Sequence, residues 1–534
     1  MLERLRVALG LEVIPAVFFI SAIFALVFVG LAIPYHEAFA SFFGFLTTWI
    51  STYLGWFYIL TVTGLLIFLI WIAVSRYGNI RLGADDERPE YGDFTWFSML
   101  FAAGIGTILM FWGVAEPISH YANPPLEGLA GGDRESGQFA MNLAFYHFGL
   151  HTWTIFALPA LAIAYFAFRH KLPIRISSLF YPLLGKRIYG PIGWTIDIIA
   201  VIGTLFGVAT SIGLGTLQLT SGLHYVSGES IPNTQTVQLV MLALITIVAT
   251  ISVALGLDRG IRRLSQFNIV VAIALMIFIW IVGPTLFIFT GMAESVGGYL
   301  HNLPWLAFWT ESFQDTSWQR SWTVFYWAWT ISWAPYVGIF IARISRGRTI
   351  RGFVSGVLLA PTLFTIIWFS VFGLSAIDLE LRQGVDLATQ VQSDVSVALF
   401  TFLQQFPLVT LISAASVLII IIFLTTSADS ASLVIDMLSR RDDQRSLLRQ
   451  RIFWSLALGG IAATMLIAGG FDALQNVITT LGFPFCVLLV FMAVAMHRAV
   501  RADYYGYTIK DMAAGRVPEP LNDDSPRGKD NPIG

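Results

Sequence analysis

Twelve long apolar runs are the feature that most limits what this chain can fold into. Each run holds about 20 residues or more with few charges, which is enough for a helix to cross the hydrocarbon core of a bilayer. Inside a bilayer only helices and closed barrels satisfy every backbone polar group. Charged residues make up 12% of the chain, against roughly 25% in soluble domains, so they are too few to cover a water-facing surface. The runs lie near 12–34, 49–75, 96–118, 138–168, 190–223, 235–256, 265–292, 322–342, 352–377, 407–436, 452–470 and 473–497.

The basic residues predict how these runs are oriented, because Lys and Arg concentrate in cytoplasmic loops. With the N-terminus inside, only Arg134, Arg320 and Arg382 of the 31 basic residues fall in outward segments. A wrong number of spans would destroy this alternation. We therefore expect an all-α membrane protein of about 12 transmembrane helices, lying in the plasma membrane (a bacterial inner membrane) with both termini in the cytoplasm. The net charge of −2 argues against a nucleic-acid partner.

The third run is interrupted by small residues. Gly104 and Gly106 lie in its middle, directly after Ala102 and Ala103. Small residues let a helix unwind or let a ligand approach its backbone closely. An unwound helix exposes amide groups that suit a carboxylate. The same residues are also typical of close helix packing, and this run alone leaves the two interpretations equal.

The eighth run carries four large aromatic rings near the middle of the membrane. They are Tyr326, Trp327, Trp329 and Trp333, and Pro335 follows them. A cation over an indole face gains roughly 0.5–2 kcal/mol, and a quaternary ammonium group has no N–H to donate. Proline also removes a backbone hydrogen bond from the helix. Aromatic packing against a neighbouring helix is the alternative, but the proline and the glycines of the third run favour a binding site.

The tenth run ends FLTTSADSASLVIDML and is rich in side-chain oxygens for a membrane helix. Hydroxyl and carbonyl oxygens suit Na⁺, although Ser and Thr hydroxyls also bond back to their own helix. Asp429 in this run, and Glu116 and Asp197 near the ends of other runs, are ionisable groups in the membrane. Such groups are costly and usually functional.

The sequence favours neither an enzyme nor a channel. His147 and His151 lie four residues apart, but with no nearby carboxylate or cysteine they are interpreted as packing or proton-sensitive residues. No cluster of metal ligands and no nucleophile–base pair is placed at one depth, which argues against an enzyme. No run carries the continuous polar stripe that a channel requires. We therefore expect a protein that is not an enzyme.

The two interrupted runs, the third and the eighth, lie five runs apart. Two inverted units of five spans, 3–7 and 8–12, would bring broken helices from each half to a site at the midplane. An outer amphipathic segment with a short interfacial helix is expected between them. The chain is accordingly divided into an N-terminal two-span extension (1–95), a first repeat (96–293), the outer segment (294–321), a second repeat (322–500) and a partly disordered cytoplasmic tail (501–534).

Four motifs resemble the betaine/choline/carnitine transporter family. They are GVAEPISHY in the third span, FGVATSIGLG in the fifth, YWAWTISWAPYVGIFIARISRGR in the eighth and TSADSAS in the tenth. The similarity covers the chain from the first span to about residue 500. It implies a leucine-transporter-like 5+5 inverted repeat after two extra helices, a homotrimer, and transport of solutes such as glycine betaine by alternating access.

The resemblance also implies which residues bind the solute and the coupling ion. The aromatic substrate box would comprise Phe148, Trp153, Phe156, Trp329, Thr330 and Trp333, near Gly104 and Gly106, with a second cluster of Trp333 and Tyr336 farther along the path. The main sodium site would use the backbone of Ala102, Ile105 and Phe423 and the hydroxyls of Thr426 and Ser427, and a second cation position would use Thr204 and Tyr336.

Three box positions depart from the pattern of the family's betaine carriers. Trp is usual where Phe148 and Thr330 stand, and Tyr is usual where Phe156 stands. These changes weaken a cage for trimethylammonium and favour a solute that needs hydrogen bonds, such as ectoine. We expect a secondary active transporter that couples Na⁺ to the import of a small zwitterionic or quaternary-ammonium compatible solute. The alternative is proton-coupled choline uptake or sodium-independent exchange of the carnitine/betaine type.

Overall fold

Helices form nearly all of the regular structure in the residues that the computed structural model describes, which are 1–104, 106–255, 258–314, 317–441 and 444–514. The longer helices are α1 (Pro15–Ala32), α2 (His36–Val74), α3 (Asp93–Gly104), α4 (Thr107–Ala122), α5 (Arg134–Phe148), α6 (Leu150–Ala164), α7 (Pro191–Val226), α8 (Gln235–Leu255), α9 (Asp258–Val282), α10 (Thr285–Leu306), α11 (Phe325–Ile344), α12 (Ile350–Phe369), α13 (Val409–Leu438), α14 (Leu448–Gly469) and α15 (Phe471–Tyr504).

Shorter elements connect these helices. Single π-helical turns at Tyr165–Arg169, Arg320–Val324 and Ser370–Leu374 follow α6, precede α11 and follow α12. The remaining short α-helices are Leu2–Ala8, Tyr181–Leu184, Ser317–Gln319, Ser375–Gln383, Ala388–Ser393, Ala398–Leu403 and Ile509–Ala513. In the described part of the chain, β-pairing is limited to one antiparallel bridge between Arg81 and Thr349. The fold is therefore all-α, as the sequence predicts.

Eleven helical segments in the described residues are long and apolar enough to cross a membrane. The third predicted run is missing from that set because it is divided into α3, of 12 residues, and α4, of 16 residues. Gly106 lies between them with an extended backbone, φ −155° and ψ −178°. The interruption predicted for this run is confirmed.

The eighth run is different, and the predicted interruption there is wrong. Helix α11 passes through Pro335 without a break and continues to Ile344. Proline removes one backbone hydrogen bond and crowds the carbonyl four residues earlier, and a helix can absorb this by bending. The irregular part of the run lies earlier, in the π-helical turn Arg320–Val324.

The seventh run also ends earlier than predicted. Helix α9 stops at Val282, and α10 begins at Thr285 after Gly283 and Pro284. The residue before a proline is pushed out of the helical region, which explains the break. The predicted short outer helix is consequently the 22-residue α10, and it starts before residue 294.

A further interruption, which the sequence analysis missed, divides the fourth run. Gly149 separates α5 from α6, and its Cα faces the Phe145 carbonyl so closely that a Cβ would lie 2.4 Å from that oxygen. The Thr152 hydroxyl donates to the His147 carbonyl, which the break leaves without its helical partner. The break thus lies next to the aromatic residues at the centre of the chain.

The helices differ in how much of their surface is covered. Helices α5, α6, α7 and α11 are almost entirely buried, whereas α8 keeps one apolar face exposed through Leu244, Ile247, Val248 and Ile251. An exposed apolar face of this size is stable only when hydrocarbon covers it. The covered helices therefore form the interior of the bundle, and α8 lies at its lipid-facing edge.

The loops rich in basic residues meet on one side of the bundle, which we call the basic side. Arg169 pairs with Asp85 at 2.6 Å and with Asp503 at 2.5 Å. Arg346 pairs with Glu87 at 2.5 Å. The Ala84 amide, followed by the Arg346 guanidinium, lowers the pKa of the Glu87 carboxyl. These contacts join loops that the predicted topology assigns to a single side of the membrane.

Candidate functional site

Two indole rings of α11 are fixed by one backbone carbonyl of α7. The Trp333 Nε1–H donates to the Gly207 oxygen at 2.8 Å, and the Trp329 Nε1–H lies 3.3 Å from the same oxygen and 3.0 Å from Ser211 Oγ. A Cβ at Gly207 would lie 3.0 Å from both Ser332 Cβ and Trp333 Cδ1, so glycine lets α11 approach α7 without displacing these side chains. The N–H groups are satisfied internally, which leaves the ring faces as the remaining recognition surface.

One face of α11 remains accessible in the middle of the helix. Thr330, Trp333 and Tyr336 are half-buried, while their neighbours Trp329, Ile331 and Ser332 are buried. Residues three apart lie on the same face of a helix. The Trp333 and Tyr336 rings meet edge to face at 5.2 Å, and the Tyr336 hydroxyl interacts with Ser430 of α13. The accessible strip therefore runs between α11 and α13.

The predicted rings of the fourth run form two separate groups. Trp153 and Phe156 of α6 pack edge to face at 5.6 Å. Phe148, at the end of α5, packs against Tyr326 at 5.0 Å and stacks on Phe369 at 4.7 Å.

The second of these groups reaches the indoles of α11, because Tyr326, which packs on Phe148, also stacks on Trp329 with ring centroids 6.4 Å apart. Among the described residues, neither Trp153 nor Phe156 touches the rings of Trp329 or Trp333, although α6 packs along α11. The two helices approach each other closely at Gly338, where a Cβ would lie 3.2 Å from Pro159 Cβ. The structure thus brings Trp329, Trp333 and Tyr336 together and connects Phe148 to them through Tyr326, while a solute box that includes Trp153 and Phe156 stays a prediction.

The interruption between α3 and α4 borders open space. A Cβ at Gly106 would meet no atom within 4 Å, in contrast to the crowded Gly207. Ala102 and Gly104 lie in the last turn of α3, and Ile105 lies outside the described residues. The first amide groups of α4 have no partners within their own helix. This helix start therefore offers hydrogen-bond donors beside an open volume.

The predicted sodium ligands of α13 are partly accessible. Thr426 and Ser427 are half-buried, and Phe423 is buried one turn earlier. The Thr426 hydroxyl donates to the Ile422 oxygen at 2.8 Å and lies 3.2 Å from the Phe423 oxygen. Because its hydrogen points into its own helix, the oxygen keeps lone pairs for another partner. This geometry suits a hard cation.

Thr204 of α7 lies among the buried residues and its hydroxyl has no hydrogen-bond partner in the described part of the chain. Buried polar atoms in proteins are nearly always satisfied. An unpaired hydroxyl at this depth is consistent with the second cation position, and Tyr336 is the other residue predicted to take part.

Asp197 has a structural partner. Its carboxylate accepts hydrogen bonds from the Ser177 amide and the Ser177 hydroxyl, both at 2.8 Å. The side chain thereby fixes the connection between α6 and α7. These two hydrogen bonds are enough to explain why Asp197 is buried, so no role in transport is needed to account for it.

A cluster of ionisable side chains lies between α4 and α5, and it corrects two predictions. The His147 Nδ1 atom is 2.7 Å from Glu116 Oε1, so His147 does have a nearby carboxylate. Glu116, His120 and His147 together form a group of possible metal ligands, which the sequence analysis excluded. The i, i+4 spacing of Glu116 and His120 could have indicated two of these ligands from the sequence. The third ligand, His147, comes from another helix, so its place in the cluster could not be predicted. His151, which stacks on Trp327, fits the packing interpretation.

Comparison with known proteins identifies close relatives. The sequence matches the family model described as BCCT, betaine/carnitine/choline family transporter, over residues 16–505. The ectoine/glycine betaine/proline transporter EctP of Corynebacterium glutamicum is 45% identical over 92% of this chain and 81% of the relative. A glycine betaine transporter of Acinetobacter baylyi is 41% identical over 92% and 74%. The high-affinity choline transport protein of Escherichia coli K12 is 39% identical over 92% and 72%.

Proposed function

The chain belongs to the betaine/carnitine/choline family of transporters, and from this premise we propose that it couples Na⁺ to the import of a small zwitterionic or quaternary-ammonium solute. Because the family consists of transporters, the chain is not an enzyme. The resemblance inferred from its motifs is confirmed. The coupling ion, the exact solute and the transport mechanism belong to the proposal.

The proposal rests mainly on the indoles of Trp329 and Trp333, which both approach the Gly207 carbonyl. Trp333 is half-buried at the centre of α11, and its N–H is already bonded. A quaternary ammonium group placed against the ring face would gain cation–π attraction without competing for that hydrogen bond. Tyr336 adds a second ring at 5.2 Å.

The second requirement is a partner for the carboxylate of a zwitterion. The start of α4 supplies the positive end of a helix dipole and the amides of Thr107 and Ile108, which precede the first helical hydrogen bonds, next to the open space at Gly106. Half-buried Thr330 presents a hydroxyl on the same face of α11 as Trp333. These polar groups favour solutes such as ectoine or glycine betaine, which relatives of this chain are named for transporting.

Sodium coupling rests on oxygen atoms at the interrupted helix and in α13. The Phe423 carbonyl and the Thr426 and Ser427 hydroxyls form a set of hard ligands on α13. We propose that the backbone of Ala102 and Ile105 completes this site, with a second cation between Thr204 and Tyr336. Hard oxygen ligands of this kind bind Na⁺ without a fixed charge, so the ion can leave when the ligands move apart.

Uptake into proteoliposomes tests the coupling. Labelled ectoine or glycine betaine should accumulate with an inward Na⁺ gradient and not when K⁺ replaces Na⁺. Thr426→Ala removes one ligand and should raise the Na⁺ concentration needed for half-maximal uptake, while Thr464→Ala, a buried hydroxyl on α14 bonded to its own helix, should not. Equal rates in Na⁺ and K⁺ would reject the coupling and leave proton-driven uptake or exchange.

A competition panel tests the solute. Unlabelled ectoine, glycine betaine, choline and carnitine should displace the label in an order that follows the hydrogen-bonding groups of the solute, with Trp333→Ala losing binding of all four. If Trp333→Ala binds every solute with unchanged affinity, the aromatic site is rejected.

We further propose that the chain forms a homotrimer in a bacterial inner membrane with both termini in the cytoplasm, as its family resemblance and basic loops predict.

A further inference from the structure

The cluster between α4 and α5 has the composition of a transition-metal site. Glu116 and His120 lie one turn apart on α4, and His147 is near the end of α5. Glu116 Oε1 is 2.7 Å from His147 Nδ1 and 3.4 Å from His120 Nε2. All three side chains are buried, and their ligand atoms lie within 4.8 Å of one another.

These separations are close to those of a bound ion. Tetrahedral coordination with ligand distances of about 2.0–2.1 Å separates neighbouring ligand atoms by roughly 3.3 Å. The Glu116–His120 pair already has that separation. The Glu116–His147 pair at 2.7 Å needs to open by a few tenths of an ångström to reach it. The ligand atoms of His120 and His147, the third pair, lie within 4.8 Å of each other.

Polar atoms of these residues are incompletely satisfied. Glu116 Oε2 and both ring nitrogens of His120 lack a well-aligned hydrogen bond in the described part of the chain, and the Tyr326 hydroxyl is the other group that interacts with the Glu116 carboxylate. The ion-pair partners of Glu116 among the described residues are the two histidines, with no lysine or arginine. Buried charges in proteins are normally paired or bound to a metal.

A shared proton explains this arrangement less completely than a metal ion does. A proton between Glu116 and His147 would satisfy the 2.7 Å contact but leave His120 Nε2 with only a poorly aligned approach of 3.4 Å to the Glu116 carboxylate. A divalent cation would bind one atom from each of the three residues and balance the carboxylate charge. Mixed imidazole and carboxylate ligands are the set that Zn²⁺ and related ions prefer.

The surroundings also orient one ligand for this purpose. His147 Nε2 lies 2.9 Å from the Thr323 hydroxyl, in the π-helical turn before α11. A hydrogen bond at the second nitrogen fixes the ring so that Nδ1 can bind a metal. The ring of Trp322, 4.3 Å from the His120 ring, covers the cluster and excludes water.

We propose that Glu116, His120 and His147 bind a divalent transition-metal ion such as Zn²⁺. The ion joins α4 to α5, and Thr323 connects this pair to the segment that leads into α11. If the proposed transport function is correct, an ion in this position slows transport, because these helices carry the predicted solute site. Binding of the metal itself does not depend on the transport proposal.

Metal binding to the purified full chain tests the site. The protein is treated with EDTA, freed of chelator and titrated with Zn²⁺ by calorimetry, and in parallel with Co²⁺ by visible absorption. One ion per chain and a tetrahedral Co²⁺ spectrum are expected. Glu116→Gln, His120→Gln and His147→Asn should each weaken binding at least tenfold, while His151→Gln, another buried histidine one turn along, should bind as the wild type does.

The thermal unfolding midpoint provides a second readout that does not require transport. Zn²⁺ should raise the midpoint of the wild type and of His151→Gln, and leave the three ligand variants unchanged. The wild-type titration decides the question even when a variant fails to fold. Absence of stoichiometric binding to the wild type, or binding that survives all three substitutions, overturns the proposal and leaves a shared proton at the cluster. Loss of uptake in the ligand variants without metal binding to the wild type also counts against it.

Discussion

At the scale of single residues, the site depends on where side chains are missing. Gly207 has no Cβ, so Ser332 and Trp333 of α11 can approach α7 and both indoles can reach its carbonyl. Gly106 also lacks a side chain, but it borders open space. The first glycine is needed for packing, whereas the second leaves room that a ligand can occupy.

Gly106→Ala should therefore reduce solute binding without destabilising the fold. The new methyl group meets no protein atom within 4 Å, and its extended backbone suits alanine. If the open space holds the solute, affinity falls by roughly five- to thirty-fold, equivalent to about 1–2 kcal/mol. Half-saturation of uptake and the thermal midpoint measure the two effects. Gly30→Ala on α1, which also meets nothing within 4 Å, serves as the control, and unchanged affinity in Gly106→Ala would place the solute elsewhere.

Because His170 on the basic side is largely buried, we predict that the folded protein loses stability in mild acid. Burial lowers its pKa from 6.5 to about 4, outweighing the Asp503 carboxylate 4.0 Å away. In the unfolded chain this histidine binds a proton below about pH 6.5, whereas in the folded protein it binds one only near pH 4. Stability is thus full above pH 6.5 and is lost as the pH falls, by about 2 kcal/mol at pH 5.

The variant His170→Gln isolates this effect. Its thermal midpoint should fall less between pH 7 and pH 5 than that of the wild type, because glutamine does not titrate. His36→Gln, at an exposed position, should follow the wild type. Parallel pH profiles for the wild type and His170→Gln would show that the histidine is not held neutral.

At the scale of elements, a helix breaks where its lost hydrogen bonds are replaced. At Gly149 the Thr152 hydroxyl bonds the His147 carbonyl, whereas Pro335 lies inside a helix that stays continuous. Proline was the stronger signal in the sequence, yet the glycine made the break. Neighbouring groups that satisfy the freed backbone decide between the two outcomes.

Gly149→Ala should destabilise the protein by about 2 kcal/mol or more, as expected for a clash in a packed interior. A Cβ would lie 2.4 Å from the Phe145 oxygen and 3.2 Å from the Tyr299 hydroxyl. Gly297→Ala on α10 meets nothing within 4 Å and is the matched control. Thermal unfolding of both variants checks the prediction, and equal midpoints would mean that α5 and α6 can join into one helix.

At the scale of the whole molecule, the loops rich in basic residues lie together on one side of the bundle. Arg169 connects the α2–α3 loop to the end of α15 through Asp85 and Asp503. The opposite ends of the bundle carry the connections at Asn123–Asp133 and Ser227–Thr234, which contain no basic residue. This charge asymmetry is what positive loops on the cytoplasmic side require.

Thiol labelling in intact cells tests this orientation. The chain has one cysteine, Cys486, and it is buried. Ser230→Cys, on the side without basic residues, should react with a membrane-impermeant maleimide in intact cells. Asp86→Cys should react only after permeabilisation, and both positions are exposed. Labelling of Asp86→Cys in intact cells would contradict the predicted topology and indicate the opposite orientation.

The sequence by itself determined that this chain spans a membrane several times and which apolar runs carry rings, glycines and oxygens. Hydropathy and composition are properties of a local stretch, so they can be read without knowing the fold. The motif resemblance also gave the family correctly, and the candidate residues Trp329, Trp333 and Tyr336 do lie together.

Only the tertiary structure decided the contacts between spans. Trp333 meets the Gly207 carbonyl across 126 positions of sequence, and His147 meets Glu116 across 31. Phe148 packs between Tyr326 of α11 and Phe369 at the end of α12. Pairings of this kind follow from how helices dock, because the energy of a buried polar group or ring depends on the neighbour that satisfies it. The residue's own position in the sequence does not specify that neighbour.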